Sequence, residues 1–160
     1  MRLIKLAVAS VIILFLIITF IGLLFPSKVI VSRAVDITAP KDSIYKYTKN
    51  LLGWQHWVSS LQNQNIASEF ETKLGNSTIK LSSSTQEKVV GEWIEKNGDK
   101  QSTVLSIISD SNNIQSVVQW QFEQQIKWYP WARFSSMIND KVIGAMMEQN
   151  LANLKKIAEK

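Results

Sequence analysis

Residues 28–40 read Lys-Val-Ile-Val-Ser-Arg-Ala-Val-Asp-Ile-Thr-Ala-Pro, and their alternation is the first guide to the fold. Val29, Val31, Val35 and Ile37 fall on one side, with Arg33 among them; Ile30, Ser32, Ala34 and Asp36 fall on the other. A period of two is that of a β-strand with one covered face, so Arg33 has the parity of the covered side. Ala39-Pro40 ends the strand. Pro40 suits the first turn of a following helix, and Asp42 favours that helix's N-terminus.

Immediately upstream, Leu6–Phe25 reads LAVASVIILFLIITFIGLLF, with no charge and no proline. At about 1.5 Å per residue such a helix is about 30 Å long, the thickness of a bilayer core. No polar face exists at any helical period, which argues against a soluble core helix. A cleaved signal peptide has an apolar stretch of only about 7–15 residues followed by a small-x-small site. Here the run is longer and Leu-Leu-Phe precedes Pro26. We therefore read residues 1–27 as an uncleaved transmembrane anchor and residues 28–160 as one folded domain. The basic residues on the two sides nearly tie: Arg2 and Lys5 before the run, Lys28, Arg33 and Lys41 after it. The very short N-terminal tail points to a signal anchor, with the N-terminus cytoplasmic and the domain on the extracytoplasmic (periplasmic) side. Strand one then starts within about four residues of the bilayer, a reach of about 13 Å.

Downstream, Ile44, Tyr45, Tyr47, Leu51 and Leu52 mark a short helix interrupted at Gly53, and Trp54, Trp57 and Leu61 mark a second. Five candidate strands follow: Ala67–Lys73, Thr78–Ser83, Glu87–Lys96, Gln101–Ser109 and Ile114–Ile126. Turn clusters separate them, and Asn97-Gly98 between two apolar runs is the strongest hairpin indication. Trp128-Tyr129-Pro130-Trp131 reads as a stiff aromatic loop. From about Ser136 to Lys160, Ile143, Met147, Leu151, Leu154 and Ala158 form a helical stripe with Met146 and Ile157 beside it.

This order, strand, two short helices, antiparallel strands, long C-terminal helix, predicts an α+β helix-grip fold: a curved antiparallel sheet around the last helix, β-α-α-β(5–6)-α, behind one transmembrane helix. The residues also resemble the START-like (SRPBCC) superfamily in its polyketide cyclase/dehydrase branch, of the membrane-anchored bacterial type. Ile37-Thr38-Ala39-Pro40 stands where that branch ends its opening strand in Ile-x-Ala-Pro, and Trp54-Gln55-His56-Trp57 stands at its Trp-x-x-Trp segment. The aromatic-Pro loop and the closing Leu151-Ala152-Asn153-Leu154-Lys155 are similar too. After Trp57 the sequence departs from the pattern: the usual Pro-Trp and Gly-rich stretches are replaced by a short middle rich in Gln, Asn and Ser. The resemblance implies a pocket between sheet and long helix for lipids, sterols or polyketide-like molecules, and no shared catalytic motif.

Composition narrows the chemistry. The 160 residues include 18 basic and 13 acidic side chains, a net charge of +5, and no cysteine. Arg2, Lys5 and Lys28 flank the apolar run, so the rest is nearly balanced and offers no basic surface for nucleic acid. Thiolate metal sites and cysteine nucleophiles are excluded, and no metal-ligand spacing, phosphate loop or nucleophile elbow occurs. The lone His56 has no evident partner and reads as structural or surface. We expect no cofactor and no metal. Arg33 is a candidate to hold a ligand carboxylate or phosphate bidentately, the alternative being a protein glutamate. Trp54, Trp57, Trp93, Trp120, Phe122, Met146 and Met147 are candidates to line an apolar pocket, the alternative being a filled core. Trp128, Tyr129 and Trp131 are candidates for the membrane interface, the alternative being packing on the long helix. The expected function is non-catalytic binding of a hydrophobic or lipid-like ligand at the membrane surface, with membrane lipids as partners. The alternatives are a polyketide cyclase/dehydratase-like enzyme and an interaction module whose pocket has closed.

Overall fold

A computed structural model describes residues 2–24 and 26–160, with side chains described except at 134–139. Phe25, the last residue of the apolar run, lies outside the described residues. Helix α1 (Arg2–Leu23) is exposed along almost its whole length, with Gly22 its one buried residue among those described. Its 22 residues are long and apolar enough to cross a bilayer.

The element order is β1 (Lys28–Ile37), α2 (Lys41–Thr48), α3 (Leu51–Trp54), a 3₁₀ turn (Ser59–Leu61), β2 (Glu71–Leu74), β3 (Ser77–Ser84), β4 (Lys88–Glu95), β5 (Lys100–Ser109), β6 (Ser116–Gln125) and α4 (Pro130–Ala158). The six strands form one antiparallel sheet in the order β1-β6-β5-β4-β3-β2. The chain closes β1 against β6, its last strand, and α4 packs against β1. This curved sheet with a long C-terminal helix is consistent with the helix-grip architecture.

Local chemistry sets the boundaries. Gly75 and Gly98 take positive φ in the β2–β3 and β4–β5 hairpins, as such tight turns require. Asn50 caps α3 by accepting the Gly53 N–H at 2.9 Å. Pro40 is the N-cap of α2, one residue before the helical position expected of it. Trp57 lies in the turn between α3 and the 3₁₀ turn, not on a second regular helix, because the chain turns after Trp54. Strand β2 begins at Glu71, not Ala67: residues 67–70 bend away, and only Phe70 reaches β3, its carbonyl accepting the Leu81 N–H at 2.7 Å. The last helix starts at Pro130, where the fixed φ suits the first turn, not near Ser136. Trp131 is therefore helical.

The inward faces bury Ile37, Ile79, Leu105, Val118 and Trp120 of the sheet with Met147, Leu151 and Leu154 of α4. Ile44, Leu51, Trp54, Trp57 and Leu61 close the core from the segment between β1 and β2. The β registers place Lys28, Gln125, the β4–β5 turn and the β2–β3 turn at one end of the sheet, the end where α1 enters and α4 begins.

Candidate functional site

The seam between the sheet and α4 is where the resemblance implies a pocket, and aromatic rings occupy its centre. Trp54, Trp57 and Trp120 meet pairwise at centroid distances of 5.2–5.7 Å, two of the three contacts close to edge-on. Such geometry sets the positive ring edge against the negative face. Each indole N–H is satisfied: Trp54 donates to the Thr48 carbonyl at 2.7 Å, Trp57 to the Tyr47 carbonyl at 2.9 Å, and Trp120 to Thr103 Oγ1 at 2.8 Å. Phe122 stacks obliquely on Trp120 at 5.2 Å, and Met147 is fully buried. These five pocket candidates are packed against each other or the core, as interior side chains are.

The other candidates sit differently. Trp93 is half-buried, edge-on to Phe122 at 5.5 Å, and its Nε1 is buried with no hydrogen-bond partner among the described residues. An unmet buried donor costs about 1–3 kcal/mol. Met146 is half-buried, and its sulfur accepts the Asn150 amide at 2.9 Å. Arg33 turns toward α4, as its strand parity predicts, and there finds a protein carboxylate: Nε reaches Glu148 Oε1 at 2.6 Å and Nη1 donates to the Ser32 carbonyl at 2.9 Å. Its guanidinium lies over Gly144, where a Cβ would collide with it.

Asn150 is a feature that sequence reasoning missed. It is buried within the apolar stripe of α4, and its Oδ1 accepts both the N–H and the hydroxyl of Ser59, at 3.0 and 3.1 Å. A polar residue between Met147 and Leu154 in that stripe was its only trace in the sequence.

A second unforeseen feature is a groove of about 520 Å³ at the far end of the sheet, lined by Tyr45, Lys49, Asn50, Glu69, Phe70, Leu81 and Ser82–Ser84. It exists because β2 pairs only with the first half of β3, and a register shift between Leu81 and Ser83 bends the remainder. The candidate strand Thr78–Ser83 overlaps a turn cluster from Ser82 to Thr85 in sequence; the structure carries β3 to Ser84, and β2 does not pair with this end of it. None of the pocket candidates lines this groove.

At the α1 end, Trp128 and Trp131 are 64% and 63% exposed. Tyr129 stacks on Trp131 at 4.7 Å and meets Trp128 edge-on at 6.2 Å, so the three rings form one ridge. Lys127 pairs with Asp99 of the β4–β5 turn at 2.9 Å. That hydrogen bond holds the Lys127 ammonium above its ordinary pKa.

Neither a family model nor a curated protein matches this sequence. Solved structures do. DynU16, from the dynemicin biosynthetic locus, superimposes with a TM-score of 0.60 at 9% identity, covering 82% of this chain and 47% of DynU16. This chain thus spans about half the length of that relative. CalU16 from Micromonospora echinospora gives 0.57 at 9% identity, covering 82% of this chain and 84% of CalU16. The protein CV1439 from Chromobacterium violaceum gives 0.55 at 12% identity, covering 84% of this chain and 99% of its own. At these identities the likeness establishes a shared fold.

Proposed function

We propose that this chain is a membrane-anchored START-like domain of the polyketide cyclase/dehydrase branch that binds a hydrophobic, lipid-like ligand at the bilayer surface without catalysis. In this reading α1 spans the membrane, the N-terminus is cytoplasmic and the domain is extracytoplasmic. The observation that carries it is positional. Strand β1 starts at Lys28, only a few residues after α1 ends at Leu23. The pairings Trp93–Gln101, Gln101–Gln124 and Gln124–Val29 set Trp93 in the row of the sheet next to that entry. The unmet indole N–H is thus held near the bilayer side, where the ester carbonyl of an amphipathic ligand would satisfy it. Tethering would raise the local concentration of any such ligand.

The test is native mass spectrometry of the full chain released from bilayer nanodiscs. A bound lipid at defined stoichiometry, with occupancy reduced in Trp93→Phe, is the expected result. A uniformly ligand-free chain overturns the reading.

One observation favours a second reading, an interaction module with a closed pocket: the packed Trp54, Trp57 and Trp120 leave the centre of the seam filled. A cyclase or dehydratase would need a buried acid–base pair in the seam. The ionisable pair at its rim, Arg33 and Glu148, satisfies itself and lies partly in solvent.

A further inference from the structure

We propose that the ridge formed by Trp128, Tyr129 and Trp131 is a seat in the bilayer interface that fixes the domain's orientation on the membrane. The proposal rests on the reading of α1 as a bilayer span. It concerns a different surface from the ligand seam. The two exposed indoles are otherwise unexplained: large aromatic side chains left in water forfeit the burial that the other tryptophans of this chain obtain.

Their position supplies the explanation. Near the C-terminal end of α1, Gly22 is buried against Pro130, and a Cβ there would lie 3.3 Å from the Pro130 Cα. Pro130 sits between Tyr129 and Trp131. The ridge is therefore joined to the end of the apolar helix by direct contact. The Ile126 N–H adds a 2.8 Å bond to the Ser27 carbonyl, tying the β6 end to the segment just past the helix. A helix that spans the hydrocarbon core delivers its end to the headgroup level, and with it the ridge. Amphipathic rings favour that depth: the ring face enters the acyl boundary while the indole N–H and phenol stay wet.

Charge selects the lipid. At this end of the domain Lys28, Lys100 and Lys127 are paired with Glu123, Glu92 and Asp99, and Arg133 is buried. Lys96 lies in the β4–β5 turn next to the Lys127–Asp99 pair, is exposed, and has no ion pair among the described residues. An anionic headgroup is the partner that Lys96 fits.

The test uses the full chain in phosphatidylcholine vesicles, with and without phosphatidylglycerol, doped with lipids brominated near the top of the acyl chains. Two of six tryptophans form the ridge, so about a third of the emission should be quenched if both reach the interface. The double variant Trp128→Phe/Trp131→Phe should lose most of that quenching while keeping its near-ultraviolet circular dichroism. Quenching should fall when phosphatidylglycerol is omitted, and Lys96→Glu should abolish that difference. Quenching undiminished in the double variant comes from the other four indoles and overturns the seat, and adding Trp93→Phe separates any part that arises at the ligand seam. So does acrylamide quenching of both indoles at the rate of free tryptophan, which needs no substitution. Quenching indifferent to phosphatidylglycerol overturns the anionic preference. Alkaline carbonate extraction separates span from seat: a chain that washes off overturns the span itself, whereas a retained but unquenched chain overturns the seat alone.

Discussion

At the scale of single residues, the tightest constraint is Gly53. A Cβ there would stand 2.6 Å from the Tyr47 carbonyl oxygen, a backbone atom fixed by α2. Gly53→Ala should cost about 1–3 kcal/mol of stability, measured by urea unfolding. Truncating Trp120, whose ring touches Trp54, Trp57 and Phe122, should cost about 3–5 kcal/mol. Arg33 behaves otherwise. Its pair with Glu148 is partly exposed, so Arg33→Met should cost no more than about 1 kcal/mol, and a double-mutant cycle with Glu148→Gln should show most of it as coupling. If Arg33 instead serves a ligand headgroup, Arg33→Met will lower lipid occupancy in native mass spectra beyond what Glu148→Gln does.

At the scale of elements, the two ends of the sheet differ in what holds them. Lys127 and Asp99 join the β6–α4 connection to the β4–β5 turn. The folded-state pKa of Lys127 is raised, so its contribution is fully present below the ordinary lysine value near 10.5 and is lost as pH rises through the raised value. Lys127→Met should lower stability near neutrality by the small amount an exposed pair contributes and flatten the alkaline end of the profile, so that the difference from the parent chain vanishes above the raised value, as pH-dependent urea unfolding would show. At the far end, Asn150 holds α4 to the 3₁₀ turn through Ser59. Asn150→Leu leaves the Ser59 N–H without this acceptor and should lower stability by about 1–3 kcal/mol. Hydrogen exchange should show the loss confined to residues 57–61 and the middle of α4.

At the scale of the whole molecule, one apolar helix and one helix-grip domain are joined by almost no linker, so in the proposed reading of α1 as a span its orientation decides which compartment the domain meets. With the N-terminus cytoplasmic, protease added outside a spheroplast should digest residues 28–160, and a cysteine placed at exposed Ser111 of this cysteine-free chain should react with an impermeant maleimide. Protection of both would reverse the topology. Much of this architecture was readable in advance. The uninterrupted apolar run, the alternation of residues 28–37, the Asn-Gly hairpin and the stripe from Ile143 to Ala158 are local patterns, imposed by the period of each element and the need to bury one face. Element ends were read less well, at β2 and α4, because a bend at residues 67–70 and a proline that starts a helix depend on neighbours. The candidate site was readable only as a set of residue types. Alternation told that Trp120 and Phe122 share a covered face, and could not tell whether the space above them is empty. Whether rings fill a seam, whether Arg33 finds Glu148, and whether Trp93 keeps a free N–H are settled by distances between segments far apart in the chain. Those distances follow from packing three-dimensional shapes together, which no one-dimensional period encodes.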